Sequence, residues 1–548
     1  MPALTLDAQL PRRYLLHRGH VYSPSDPFAT AMLVIDGTVA WIGSDAGAAV
    51  HSDSVDAMFD LEGSLVTPAF VDAHVHLTAL GLSLTGLDLS GVSGPEELLL
   101  RLADTAKDQS LTAVIWGHGW DDSAWTAALP TRQQIDAASG GRAVFLSRVD
   151  AHSALVSSAL VERNSHVRQA DGFDAEGAVS RDANLILRAV ASESIPDGQR
   201  HASQLAALQR AASRGIASVH EMGGPGISSA LDLSSALALG QQPGHVEVIG
   251  YWGEVLGLER AADLGAHGCA GDLFVDGSLG SHTACLREPY VDEPTTQGVA
   301  YLEAEVIAEH VRACTNAGIQ AGFHVIGDAA MDRVIAGFLG AASQVGDEAM
   351  RRCGHRLEHA EMLDSDALTT LARWGVTTSM QPSFDAAWGG AGGMYVDRLG
   401  AERARTLNPF AAVLQHGVPL AFGSDAPVTA LEPWAAVRAA AFHHQPEHRI
   451  STRAAFAAHT RGGRRAARQE SQEPGVLQEG TPATFAVWAD TELRVIAPDD
   501  RIAAWSTDPR SGTPGLPDLT PGTPEPHCRG TVRAGQVLFD GTNSGEGL

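Results

Sequence analysis

The feature that most restricts this chain is an alternation: eight short strand-like runs are separated by stretches with helical spacing. The runs are Ala69 to His76, Ala217 to Gly223, Val246 to Trp252, Asp272 to Ser278, Gln320 to Ile326, Arg356 to Ala360, Val376 to Gln381 and Leu420 to Asp425. Between two of them, Glu303 to Ala317 sets Val306, Ile307, Val311 and Cys314 at helical intervals. Such alternation points to parallel βα units, and eight of them suffice to close a (β/α)8 barrel. A barrel needs about 250 residues. The chain has 548, so other modules are expected.

Both ends read as β structure. Asp36-Gly37 sits between the apolar halves of Ala31 to Ile42, the chemistry of a tight hairpin. Thr484 to Trp488 is a strand, and Gly530 to Asp540 holds two more around Ala534-Gly535. The reading is a small β-sandwich shared by residues 1–65 and 471–548, around a barrel at 66–470. Residues from about 80 to 200 exceed the barrel count. They hold strand candidates at Ala113 to Gly119 and Ala143 to Val149 and a helix opened by Ser93-Gly94-Pro95-Glu96. This segment is expected as an insertion after the first barrel strand, leaning over the mouth. Ser506 to Pro526, rich in Pro, Gly and Thr, is expected as a loop or strap.

Hydrophobic residues at 44% and charged residues at 19% fit a soluble globular protein. A net charge of −27 argues against a nucleic-acid partner. No run approaches the roughly 18 apolar residues of a membrane helix, and Met1 to Tyr22 lacks the pattern of a secretory leader. Five scattered cysteines suggest reduced thiols. The expectation is a cytoplasmic protein with a small-molecule substrate, no membrane partner, and a homodimer as the default assembly.

His74 and His76 alternate on one strand, so both imidazoles face the same way. At the C-terminal end of a barrel strand that way is the mouth, where active sites of this fold lie. His324, His359 and Asp425 each fall at or near the end of a further candidate strand. One histidine on a strand is usually a packed or surface residue. Ligand-capable residues ending four strands of one barrel point instead to a divalent metal, zinc foremost.

With Val66-Thr67-Pro68-Ala69-Phe70, Gly117-His118-Gly119-Trp120-Asp121, Asp276-Gly277-Ser278-Leu279-Gly280-Ser281, His324 to Asp328, Arg356 to His359 and Gly423-Ser424-Asp425-Ala426-Pro427, the chain resembles the amidohydrolase superfamily. The likeness is closest to amidohydrolase family 3, the YtcJ-like group that includes N-substituted formamide deformylase, and it covers almost the whole chain. The resemblance implies that His74 and His76 hold a first metal, and that His324 and His359 hold the same one or a second. Asp425 would touch a metal and handle the proton, with His324 beside it in the catalytic set. The implied reaction is hydrolysis of a non-peptide C–N bond (an amide, formamide or cyclic amide) by metal-activated water.

One departure stands out. Binuclear relatives carry a carbamylated lysine shortly before the Asp-Gly-Ser motif; here Asp272 takes that place, and Lys107, the only lysine, lies in the inserted segment. No carbamylated lysine is expected. Asp272 bridges two metals, or the site holds one, or it has lost its chemistry. The intact remainder of the set ranks a working site first. Asp276 lies an even number of residues beyond Asp272 and is a second carboxylate candidate. Trp120, Asp121, Asp150 and His152 either line the substrate pocket or pack the insertion. Arg356 is a further pocket candidate, although pairing with a carboxylate suits it better. His220-Glu221 could support the site, while His443 and His444 are expected in solvent. A deaminase on the same scaffold, or a binding protein without turnover, remains the alternative.

Overall fold

Eight parallel strands in sequential order form the central sheet of the computed structural model, which describes residues 10–122, 125–148, 153–489, 492–494 and 514–541. They are β1 (Phe70–Val75), β2 (Ile216–Gly223), β3 (Glu247–Trp252), β4 (Gly268–Cys269), β5 (Gln320–Val325), β6 (Arg356–His359), β7 (Thr377–Met380) and β8 (Leu420–Phe422). Every residue of β1, β2, β5, β6, β7 and β8 is buried, as strands covered on both faces must be. The ring closes where β8 returns to β1: the Asp425 N–H donates to the His74 carbonyl at 2.8 Å, and Val75 bridges Ala426 in parallel. The (β/α)8 barrel is therefore present.

Seven strands lie within a few residues of their expected positions. The fourth does not. Its ladder is Gly268–Cys269, ahead of the expected Asp272 to Ser278. Gly271, at φ +94°, breaks the extended backbone. Beyond it the chain runs beside β5 again, with Leu273 O accepting from His324 N–H and Val275 N–H donating to His324 O, both at 3.0 Å. Asp272 thus sits on a kink at the end of β4.

The two termini do share a sandwich. One sheet is built from Thr38–Gly43, Ala31–Ile35, Arg13–His17 and Ala57–Asp60. The other pairs His20–Val21 and Leu65–Pro68 with Phe485–Trp488, Cys528–Arg533 and Gln536–Asp540 from the far end of the chain. Alternate residues meet between the sheets: Tyr14, Leu16, Met32 and Val34 against Val66, Phe485, Val487 and Val532. Asp36 (φ 50°) and Gly37 (φ 74°) make the first hairpin turn, both in the left-handed region that such turns require.

By its contacts the chain divides into Met1–Val75, Gln209–Gly224 and Leu237–Leu548 as one unit, and His76–Leu208 with Pro225–Ala236 as a second. The second unit, inserted after β1, has its own sheet in the order Ala178–Ser180, Ser153–Val156, Ala143–Arg148, Val114–Trp120 and Leu87–Asp88. Helix Pro95–Asp108 packs Leu98 and Leu102 on that sheet with Ile115, Val144 and Leu146. It opens where expected: Gly94 is the N-cap, Pro95 begins the first turn, and Glu97 reaches back to the Ser93 N–H at 2.9 Å. Within this unit Arg200 and Asp232 form a buried ion pair at 2.9 Å. No described helix is long and apolar enough to cross a membrane, and all five cysteines are free and buried.

Candidate metal centre

The C-terminal ends of five barrel strands bring His74, Asp272, His324, His359 and Asp425 together, all less than a tenth exposed. Donor atoms of His74, Asp272 and His359 lie within 4.8 Å of one another. His74 Nε2 stands 3.5 Å from Asp272 Oδ2 and 3.4 Å from Asp425 Oδ1, and His359 Nε2 is 3.8 Å from Asp272 Oδ1. The His324 and His359 rings are 4.4 Å apart at their centroids. His76 follows Val75 at the residue where the second unit begins. It is the N-cap of the helix Leu77–Thr85, one residue beyond the end of β1.

Each imidazole is aimed by what its other nitrogen does. His74 Nδ1 lies 3.0 Å from Glu358 Oε2, and His359 Nδ1 lies 2.8 Å from Gln381 Oε1. A carboxylate and an amide oxygen only accept, so Nδ1 carries the proton in both rings and the Nε2 lone pair faces the cluster. His359 Nε2 and His324 Nδ1 have no hydrogen-bond partner among the described residues. Two buried carboxylates beside one imidazole are costly unless positive charge meets them. Burial opposes a charge on His74, yet Asp272 and Asp425 outweigh it and raise its pKa, so these carboxylates draw to Nε2 either a proton or, in its place, a cation. His324 is pushed down to about 3, by burial first and then by His359. Imidazoles turned lone pair inward, with carboxylates between them, are a donor set that fits a divalent cation.

Strained backbone serves the same geometry. His359 (φ 68°) and Asp425 (φ 56°) are left-handed, a conformation worth about 1–3 kcal/mol of strain at a non-glycine residue. In a regular strand Glu358 and His359 would face opposite sides. The turn at His359 lets both reach His74.

Other expected site residues have different places. Arg356 is fully buried and does not line a pocket: its guanidinium pairs with Glu358 (Nε–Oε1 2.6 Å) and donates to His220 Nδ1 at 3.1 Å and to the Ala73 carbonyl at 2.8 Å. Burial would raise the Glu358 carboxyl, but Arg356 and His74 hold it at about 2. Asp276 is also sealed, accepting from the N–H groups of Cys285, Ile326 and Gly327 at 2.8–3.0 Å. These bonds pin a loop beside the cluster, where Asp276 Oδ1 lies 3.8 Å from His324 Nδ1. Trp120 belongs to the core of the second unit, where its Nε1–H donates to the Leu146 carbonyl at 2.8 Å. In the same unit Asp121 pairs with Arg148 at 2.9 Å. Asp150 and His152 lie outside the described residues. His443, expected in solvent, is buried 3.3 Å from Asp385, while His444 is partly exposed against the same carboxylate.

Residue reasoning missed Glu358, Gln381 and Asp72. Asp72 Oδ1 accepts from the His74 N–H at 3.2 Å and the Ser424 N–H at 2.9 Å, clamping β1 to β8 beside two members of the cluster. The signal was present: Asp72 precedes His74, and Arg356 precedes Glu358, by the two residues that share a strand face.

The chain is similar to known proteins. The family model of the amidohydrolase family matches residues 57–539. LONG AFTER FAR-RED 3 of Arabidopsis thaliana is 27% identical over 527 residues, covering 89% of each chain. YtcJ of Bacillus subtilis (strain 168) is 27% identical over 460 residues, 77% of this chain and 82% of that one. Among solved structures, an uncharacterized metal-dependent hydrolase from Pyrococcus furiosus superposes with a TM-score of 0.74 at 28% identity, covering 87% of this chain and 98% of its own. Matched by the family model over most of its length, this chain belongs to the amidohydrolase family.

Proposed function

We propose that the protein is a metal-dependent hydrolase that cleaves a non-peptide C–N bond of a small molecule, an amide, formamide or cyclic amide. The observation that carries this is the pair of fixed tautomers: Glu358 and Gln381 hold Nδ1 of His74 and His359, which leaves both Nε2 atoms toward Asp272. His74, His76, His324, His359, Asp272 and Asp425 would hold the cation, zinc foremost among the metals that suit this donor set. When bound, a divalent cation supplies Lewis acidity, lowering the pKa of water and polarising a carbonyl oxygen.

The chain's own groups do the rest. Asp425, whose Oδ1 lies 3.4 Å from His74 Nε2, would take the proton of the attacking water and return it to the leaving nitrogen. Asp272 stands between His74 and His359, within 4 Å of both, so it contributes charge where relatives with a lysine carry a carbamate. Arg356, sealed beneath, keeps Glu358 ionised and so keeps the His74 ring oriented.

The test combines metal analysis with product analysis. Untagged protein, purified without chelators, is expected to hold one or two equivalents of divalent metal and to release an amine and an acid from a panel of N-substituted formamides and cyclic amides. Ammonia as the nitrogen product would move the assignment to a deaminase. Protein that binds no zinc or manganese on titration would leave a barrel without this chemistry.

A further inference from the structure

A second cluster of metal-capable residues lies away from the mouth. Cys269 ends β4, and His310 and Cys314 lie one turn apart on helix Ala304–Ala317, the helix that follows β4 in the barrel. All three are completely buried, and their donor atoms lie within 4.8 Å of one another. A Cys-His-Cys trio invites a metal assignment, but the histidine is already committed. His310 Nδ1 accepts from the Leu256 N–H at 3.0 Å, which places the ring proton on Nε2, and that proton is given to the Cys269 carbonyl at 2.9 Å. Ligating a cation through either nitrogen breaks one of these buried bonds. Two facing thiols remain.

We propose that Cys269 and Cys314 form a redox-active dithiol that a peroxide closes to a disulfide. The strand that carries Cys269 is two residues long, pairs with β3 at one position and with β5 at two, and is followed by the Gly271 kink. The two sulfurs are chemically unequal. Cys269 donates to the Glu254 carbonyl at 3.2 Å, and the hydrogen bond from Cys314 lowers its pKa. Cys314 is raised by that same bond and by burial.

The reaction balances with one peroxide. The Cys269 thiolate attacks a peroxide oxygen and the O–O bond breaks; a sulfenic acid forms, and the departing hydroxide takes up the proton that the thiol released and leaves as water. The Cys314 sulfur then attacks the Cys269 sulfur; the S–S bond forms, the S–O bond breaks, and hydroxide leaves with the thiol proton as a second water. The link would tie β4 to its own helix and close the excursion that bears Asp272 and Asp276.

The test uses the full chain exposed to hydrogen peroxide, then denatured in iodoacetamide and digested with chymotrypsin, which cuts after Phe274 and separates Cys269 from Cys285. The expected result is a Cys269–Cys314 peptide that disappears with dithiothreitol, while Cys528 is recovered alkylated. Cys353 is the competing thiol, since its sulfur lies 3.7 Å from the Thr315 carbonyl, next to Cys314. The same link is therefore expected in Cys353→Ser. Recovery of Cys269 and Cys314 as alkylated thiols after Cys285 has oxidised would overturn the proposal. So would a Cys314–Cys353 link in its place.

Discussion

Two hydrogen bonds decide which nitrogen of His74 and of His359 can face a cation, so the most direct predictions concern their partners rather than the ligands. In Gln381→Leu the His359 Nδ1–H loses its acceptor and the ring its orientation. Metal affinity should fall about 10–100-fold with the fold retained, read by chelator competition and circular dichroism. Unchanged affinity in a folded variant would mean that packing against Phe384, stacked 5.8 Å away, orients the ring instead. Arg356→Met separates a structural role from a substrate role. It strands the Glu358 carboxylate in the interior and should destabilise the protein by about 3–5 kcal/mol in urea unfolding. A substrate contact would instead raise KM and leave the unfolding midpoint in place. At this scale the candidate ligands were legible because a histidine or aspartate at a strand end is conspicuous. Their supports were not, because a carboxylate that touches a ligand looks in sequence like any other.

At the scale of the element, β4 shows where reading a strand from composition fails. Gly268-Cys269-Ala270-Gly271 has no β-branched or aromatic residue, whereas Leu273-Phe274-Val275 has both, so propensity drew the strand several residues late. Tertiary pairing with Gln320 and Ala321 of β5 fixes the true position. Asp276, expected near the site by alternation, does lie beside His324, 3.8 Å from its Nδ1, but its oxygens are taken up by backbone N–H groups. The closing strand makes the opposite point. A Cβ on Gly423 would lie 2.5 Å from the His74 backbone nitrogen and 3.0 Å from Asp72 Oδ1, so β8 can approach β1 only without a side chain there. Gly423→Ala should cost about 1–3 kcal/mol through overpacking. Because the displaced atoms belong to His74, metal affinity should fall as well. A variant with wild-type urea midpoint and affinity would show that the ring closes with slack.

For the whole molecule, the sandwich and the barrel were readable because each needs only a pattern: alternation within strands, and strands alternating with helices. How the chain responds to acid needs buried detail. With a net charge of −27 at pH 7, self-repulsion should relax toward the isoelectric point near 5.2, which alone would favour the folded state. Several buried histidines outside the metal cluster oppose this, and His355 and His443 show how. His355 is held down to about 3, by burial first and then by His310 and Arg468, and its Nδ1 accepts the Ala321 N–H at 3.0 Å, a bond that protonation would break. His443 is lowered to about 4, chiefly by burial, with Nδ1 accepting from the Gln445 N–H. An unfolded histidine titrates near 6.5. Below that pH the unfolded chain takes up protons that the folded chain refuses, so stability is full above about 6.5 and declines as pH falls toward 4. Each group contributes a slope of about 1.4 kcal/mol per pH unit, and two together exceed what relaxed surface repulsion returns through a screened solvent. Urea unfolding at pH 7, 6 and 5 should therefore show falling stability. In His355→Gln, whose amide can still accept from Ala321 and donate to Thr315, the decline should be shallower by about one proton. Equal slopes in the two proteins would place the acid sensitivity elsewhere, and rising stability toward pH 5 would show that the surface charge dominates.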